Sequence, residues 1–287
     1  MSNAPSTLAD LVSPLSEPGF LQLLLERKLT LLRDANRYPY ANFLSWNALQ
    51  QLIEQGEYPR GEDHFRIAKE SVPVTQDRWT SEGKADIAKL EACLAEGNSV
   101  IITHIEPFIP PLAALCADLK SRLKEQVYAG VIVTSGKDGA FKLHYDFEDL
   151  IIVQTEGTKR WQIYGPAVSN PIRGIPKQTP PENAPILDEV LEPGDILFMP
   201  AGNWHHCEAG PGRSVHLGIF ILPPTGWHGV RKLLSPLIKE EIFRTPLTRL
   251  AGAPELAALE ADAKKRLIER INQLKLSELI AEWGKQA

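Results

Sequence analysis

His144 and Asp146 stand one residue apart at the head of KLHYDFEDLIIVQTEGTKRW, residues 142–161. On a β-strand, alternation turns both side chains to one face, so an imidazole and a carboxylate point together. The run Leu150, Ile151, Ile152, Val153 that follows has the pattern of a strand buried on both faces. Gly157 marks a turn, and Lys159 and Arg160 then fall on the returning strand. His-x-Asp leading into a buried strand, with a cation after the next turn, asks for a third metal ligand farther along. Residues 192–220, EPGDILFMPAGNWHHCEAGPGRSVHLGIF, offer two imidazoles, His205 and His206, after a predicted strand at 196–199 and a turn at 200–203. Two histidines and one carboxylate leave three positions open on an octahedral metal, the arrangement of non-haem Fe(II) oxygenases. Two open positions suit a chelating 2-oxo acid and the third suits O2.

The succession HxD, QxxGxKRW, PGDxLxxPxxxWHH and SxHL, within residues 126–227, resembles the cupin-fold JmjC oxygenases. It is most similar to the branch containing the ribosomal-protein hydroxylases and the asparaginyl hydroxylase of hypoxia-inducible factor. The flanking helical segments fit that family only loosely. The resemblance implies a double-stranded β-helix with Fe(II) on His144, Asp146 and His205, the last being the first histidine after the PxxxW element. It also implies 2-oxoglutarate and O2 as co-substrates, with the distal carboxylate of 2-oxoglutarate on Lys159. The chain departs from the family pattern at Phe141, where a hydroxyl often faces 2-oxoglutarate, and at Gly130, where many members have Asn.

A histidine in a strand is ordinarily a packed or surface residue, and His-x-Asp by itself is common. Its conjunction with PGD, WHH and a lysine on the return strand is what carries the metal reading. Alternation sends His206 outward and puts Arg160 on the face opposite Lys159. His216 shares a face with Ser214 and Gly218, which leaves two readings open: a second residue of the co-substrate pocket, or a packed, hydrogen-bonded histidine. His64, His104 and His228 have no partner spacing and default to structure. Trp161 reads as core, while Trp204 and Trp227 are aromatics available to wall a cavity.

These residues need a scaffold of many short strands. Turn signals separate predicted strands at 99–105, 126–134, 186–191, 196–199, 205–208 and 213–222, with another at 64–72, the pattern of an all-β barrel or jelly roll. Helical spacing predicts helices over 19–33, 45–53, 84–95 and 110–124, and amphipathic helices over 254–285. Residues 1–18, rich in Ser, Pro and Ala, read as a mobile arm or clamp, SGKDG at 135–139 as a turn, and 165–185 as a loop over the site. The expected division is a mainly helical segment at 1–125, with strands completing the core, the catalytic barrel at 126–226 and a helical region at 227–287. This last is a dimer unit, a lid or a cover for the barrel, and the family resemblance implies the homodimer.

The 287 residues are 43% hydrophobic and 23% charged, enough for a full core. A net charge of −5 gives no basic footprint for nucleic acid. There is no apolar run of membrane-spanning length and no secretory signal at the N-terminus. Three widely spaced cysteines without CxxC argue for a reducing compartment, the cytoplasm. The family resemblance implies hydroxylation of a C–H bond in a protein or peptide, favoured over lysine demethylation. A small metabolite or biosynthetic peptide as acceptor is one alternative, and a non-catalytic metal-binding cupin is another.

Overall fold

In a computed structural model of the protein, which describes residues 5–33, 44–136, 139–176, 178–250, 252 and 254–283, the N-terminal stretch docks as two short helices. Helix α1 (Leu8–Val12) opens with a capping box between Thr7 and Asp10, and Leu8, Leu11 and Val12 are fully buried. The expectation of a mobile arm is corrected for residues 5–18: one face of this segment is part of the core. Residues 1–4 lie outside the described residues. Helix α2 (Glu17–Leu25) is shorter than the helix expected to residue 33, because Thr30–Leu32 is strand β1, paired with a core strand. Pairing with the sheet outweighs helical spacing there.

Ser45 caps α3 (Trp46–Gln55), and Gly56 ends it in the left-handed conformation. Strands β2 (Phe65–Lys69) and β3 (Val72–Pro73) follow, then the hairpin β4 (Thr80–Ser81) and β5 (Lys84–Ala85). That hairpin moves the next helix, expected from residue 84, to α4 (Ile87–Ala95), whose first turn is capped by Asp86. Strand β6 (Ser99–Thr103) and helix α5 (Pro110–Leu123) lead into the strands β7 (Gln126–Ser135), β8 (Asp149–Glu156), β9 (Lys159–Pro166), β10 (Leu187–Leu191), β11 (Ile196–Met199), β12 (Asn203–Ala209) and β13 (Arg213–Leu222). The turn expected at 135–139 includes Lys137 and Asp138, which lie outside the described residues.

Eight strands form one sheet in the order β1-β11-β8-β13-β7-β6-β2-β3, and three form a second, β10-β9-β12. Strand β8 runs through the larger sheet between β11 and β13 and shows why its sequence is apolar without interruption. Ile151 and Val153 pack into the large core with residues of the N-terminal helices. Leu150 and Ile152 turn the other way and meet Trp161, Ile163 and Leu191 of the small sheet. The two sheets therefore face each other, and the space between them is the cupin interior. In the small sheet, Trp204 pairs with Gly165 and His205 with Ile163, which leaves Tyr164 as a bulge.

The turn between β8 and β9 has room for glycine alone. Gly157 has φ +62°, and a Cβ built on it would lie 2.0 Å from the carbonyl oxygen of Arg213. Gly157→Ala is expected to lower stability by on the order of 2–4 kcal/mol, from strain and overpacking together. Denaturant unfolding checks this, and an unchanged midpoint would show that the turn relaxes freely.

Residues 1–123 and 127–222 form one compact unit, and 124–126 with 223–287 a second. The second contains α6 (Gly226–Leu234), α7 (Pro254–Ile271) and α8 (Leu276–Trp283). The helices expected at 254–285 form as far as Trp283, with residues 284–287 outside the described residues. No described helix is long and apolar enough to cross a membrane.

Candidate active site

The segment bearing His144 and Asp146 is not a strand. Residues 141–148 are an irregular lead-in to β8, joined to β12 by a single isolated bridge. The His144 N–H donates to the His205 carbonyl at 3.2 Å, and the His205 N–H donates to the His144 carbonyl at 2.7 Å. The Gly202 N–H donates to the Asp146 carbonyl at 2.9 Å. The expected strand alternation is thus corrected: backbone bonds to β12 and its preceding turn bring the two side chains together.

The ligand atoms of His144, Asp146 and His205 lie within 4.8 Å of one another. His205 Nε2 is 3.6 Å from Asp146 Oδ2, and His144 Nε2 is 3.8 Å from Oδ1. Each ring is fixed from behind, His144 Nδ1 donating to the Lys142 carbonyl at 2.7 Å and His205 Nδ1 to the Asn203 carbonyl at 3.0 Å. A carbonyl can only accept, so the Nε2 lone pair of each neutral ring is free to face the carboxylate. This donor set, with its outer hydrogen bonds, fits a divalent first-row metal. Burial, and after it the neighbouring His144, push His205 down to about 4, so it stays a neutral ligand at neutral pH.

The triad lines a cavity of about 220 Å³ together with Lys159, Trp161, Cys207 and His216. Lys159 is only 2% exposed. Its Nζ donates to Thr134 Oγ1 at 3.2 Å and lies 3.4 Å from His216 Nδ1. No carboxylate pairs with it among the described residues. Burial pulls its ammonium down to about 8. The same burial, then the charge of Lys159, holds His216 well below the usual imidazole range. Burial also pushes the Cys207 thiol up to about 12, which leaves it protonated.

The neighbouring cation and imidazole turn away. Arg160 makes two 2.6 Å hydrogen bonds to Asp188 on the outside of the sheet, and His206 Nε2 lies 3.7 Å from Glu208. Trp161 is buried beside the cavity, with its Nε1–H unpartnered. Trp204 packs edge-on against Tyr145, and Trp227, in the second unit, is 49% exposed.

The residues at the two departures from the family pattern occupy the cavity wall. A Cβ at Gly130 would lie 3.1 Å from the Phe220 ring, so an aromatic fills the space an Asn side chain would take. Phe141 lies 5.1 Å from the His144 ring, centre to centre. The His104 ring, expected to be structural, stacks at 4.4 Å on Tyr128, which stacks on Phe220 at 4.7 Å.

Sequence reasoning missed Thr134, Tyr128 and Glu148. Tyr128 and Thr134 sit on β7 at even spacing from Gly130, so alternation along that strand was the available signal. Glu148 is 8% exposed in the cavity wall, with Tyr128 Oη 3.4 Å from its Oε1. Burial first, then the Asp146 charge, raises its carboxyl above the usual range.

Residues 105–227 match the family model described as the JmjC domain. A bifunctional lysine-specific demethylase and histidyl-hydroxylase NO66 of Drosophila persimilis is 27% identical over 282 residues, covering 93% of this chain and 40% of its own length. Ribosomal oxygenase 1 of Bos taurus is 24% identical over 266 residues, covering 88% of this chain and 39% of its own. The chain thus spans about two fifths of the length of these curated relatives. The structure of YcfD, a ribosomal oxygenase from Escherichia coli in complex with cobalt and 2-oxoglutarate, shares the fold, with a TM-score of 0.56 at 20% identity over 91% of this chain and 68% of that one.

Proposed function

The chain carries a JmjC domain, and from that premise we propose that it is an Fe(II)- and 2-oxoglutarate-dependent oxygenase that hydroxylates a C–H bond in a protein or peptide side chain. The observation that carries this reading is Lys159: a buried ammonium without a carboxylate partner among the described residues, in one cavity with a two-histidine, one-carboxylate cluster. A generic metal cupin has no use for such a cation, whereas a dicarboxylate co-substrate needs one.

His144, Asp146 and His205 would hold the metal. When bound, Fe(II) supplies the redox chemistry in which 2-oxoglutarate, O2 and a C–H bond yield succinate, CO2 and a C–OH group. Lys159 binds the distal carboxylate, with Thr134 and His216 fixing its Nζ. His216, held neutral, accepts from the ammonium and adds no second charge. Leu150, Ile152 and Trp161 wall the pocket and exclude water, which strengthens the Lys159–carboxylate pairing. A polypeptide acceptor is supported by relatives whose names are those of a histidyl-hydroxylase and a ribosomal oxygenase.

Succinate formed from 2-oxoglutarate, with Fe(II) and no acceptor, tests the reading. Turnover that depends on Fe(II) supports the oxygenase. A protein that binds Fe(II) but forms no succinate under any condition is a metal-binding cupin.

The second unit supports a homodimer. Helix α7 has no buried residue among those described, and Ile238, Ile268, Ile271, Leu276 and Ile280 are each about half or more exposed. Light scattering is expected to give twice the chain mass, and truncation before Pro254 to give monomers. A monomeric full-length chain would end this proposal. The cytoplasm as the working compartment rests on Cys93, Cys116 and Cys207, all free thiols.

A further inference from the structure

The turn at residues 200–203 delivers His205 to the metal cluster, and its backbone is gripped from outside the cavity. The Ala201 N–H donates to Asp149 Oδ1 at 2.7 Å, and the Ala201 carbonyl accepts from Arg27 Nη2 at 2.9 Å. Arg27 Nη1 lies 3.4 Å from the same Asp149 oxygen. One guanidinium and one carboxylate therefore close a ring around the backbone groups of Ala201. The next N–H, of Gly202, donates to the Asp146 carbonyl. Asn203, whose carbonyl orients the His205 ring, is tied by its own amide to the Pro200 carbonyl at 2.7 Å. Each group in this chain touches the next, from Arg27 at the end of α2 to the two ligands His205 and Asp146.

The arrangement has the marks of a fitted part. The Asp149 side chain is 11% exposed and that of Arg27 34%, so the pair is largely shielded from water. Arg27 adopts φ +51° as the left-handed residue that closes α2, with the Lys28 N–H donating to the Leu23 carbonyl at 3.1 Å, so the helix end fixes its backbone. Neither residue lines the cavity, so neither serves the co-substrate directly.

We propose that Arg27 and Asp149 are positioning residues for the metal centre: they hold the 200–203 turn so that His205 and Asp146 keep the spacing a divalent metal requires. This rests on the reading that the triad binds metal. Without Arg27, Asp149 is a shielded carboxylate with no counter-charge, and the Ala201 carbonyl loses its donor. The turn then gains freedom at the point where it sets the His205 ring. The N-terminal helices, which lie outside the barrel, thereby tune the affinity of the site.

Titrating the metal-free protein with Co(II), followed by visible absorption, tests this. Arg27→Gln is expected to weaken Co(II) binding by about tenfold to a hundredfold, the range for outer partners of metal ligands. The thermal midpoint of the metal-free variant is expected to fall, because Asp149 is left unpaired, so Co(II) is titrated at a temperature where the variant is fully folded. Arg27→Lys should recover part of the affinity, because an ammonium keeps the charge beside Asp149 but lacks the fork that also reaches Ala201. Arg33→Gln serves as a control, since it breaks comparable ion pairs to Asp195 and Glu189 away from the ligand turn. It should leave Co(II) affinity unchanged. Equal affinity in Arg27→Gln and the unmodified protein overturns the proposal. So does an equal loss in Arg33→Gln, which would mean general loosening. If Arg27→Gln does not fold, Arg27→Lys carries the comparison, and affinity equal to the unmodified protein overturns it. An unmodified protein that takes up no Co(II) would instead remove the metal reading itself.

Discussion

His205→Ala is expected to abolish Fe(II) binding and succinate formation, while His206→Ala keeps both. The two histidines are adjacent, so composition and local charge change equally in the two variants. What differs is the face. His205 is 3% exposed with Nε2 3.6 Å from the Asp146 carboxylate, whereas His206 points outward to Glu208. Removing an outer-shell partner of a metal ligand typically costs tenfold to a hundredfold in affinity, so removing the ligand itself should exceed a factor of about a hundred. His144→Ala and Asp146→Ala should match His205→Ala. Isothermal titration with Fe(II) under anaerobic conditions, beside a succinate assay, separates the outcomes. An active His205→Ala next to a metal-free, inactive His206→Ala would exchange their roles.

Lys159→Ala should weaken 2-oxoglutarate binding by on the order of 2–4 kcal/mol, judged from the cost of leaving a buried charge unpaired. At about 1.4 kcal/mol per decade this is roughly 30- to 700-fold. Fe(II) affinity should barely move, because the ligands are untouched. Arg160→Ala should leave 2-oxoglutarate binding alone, since that guanidinium is engaged by Asp188 on the surface.

A pH dependence follows from the depressed pKa. In the free protein Lys159 loses its proton near pH 8. A bound carboxylate stabilises the ammonium, so the complex holds the proton to higher pH. Below pH 8 the site is already charged and affinity is flat with respect to this group. Above pH 8 binding must take up a proton, and the dissociation constant should rise about tenfold per unit until the bound lysine itself titrates. Lys159→Ala should lose this slope. Anaerobic titration of the Fe(II) protein, followed through its charge-transfer band across pH 7 to 10, reads both effects. An unchanged constant in Lys159→Ala would move the anchor elsewhere or remove 2-oxoglutarate from the account.

Much of the scaffold was legible in residue types. The double-sided burial of β8 shows in Leu150 to Val153, the α3 start in Ser45, and the span of β13 in the alternation from Arg213 to Leu222. The donor types and spacing of the candidate site were equally open to reading. The reason they meet was not, because alternation governs only residues inside a ladder, and residues 141–148 precede one. The same limit hid β1, whose leucines carry helical spacing but pair with β11 at a distance of more than 150 residues along the chain. Arg27 was invisible for a related reason: it acts through Asp149, far along the sequence, and a lone arginine carries no local pattern.

The bulge at Tyr164 makes the identity of the third ligand a matter of reading frame. With Trp204 set against Gly165 and His205 against Ile163, the strand presents His205 and Cys207 inward. A slip of one residue along β9 would invert every side chain of β12 and bring His206 to the inner face. The WHH motif thus stores a second imidazole one step out of phase. Point substitution at position 205 cannot recruit it, because the ladder stays locked by the bulge. A single-residue deletion in the 200–203 turn, or the loss of Tyr164, is the kind of change that could. Length variation at these two places, more than exchange of the histidines, is therefore the route by which such a centre could be rewired during descent.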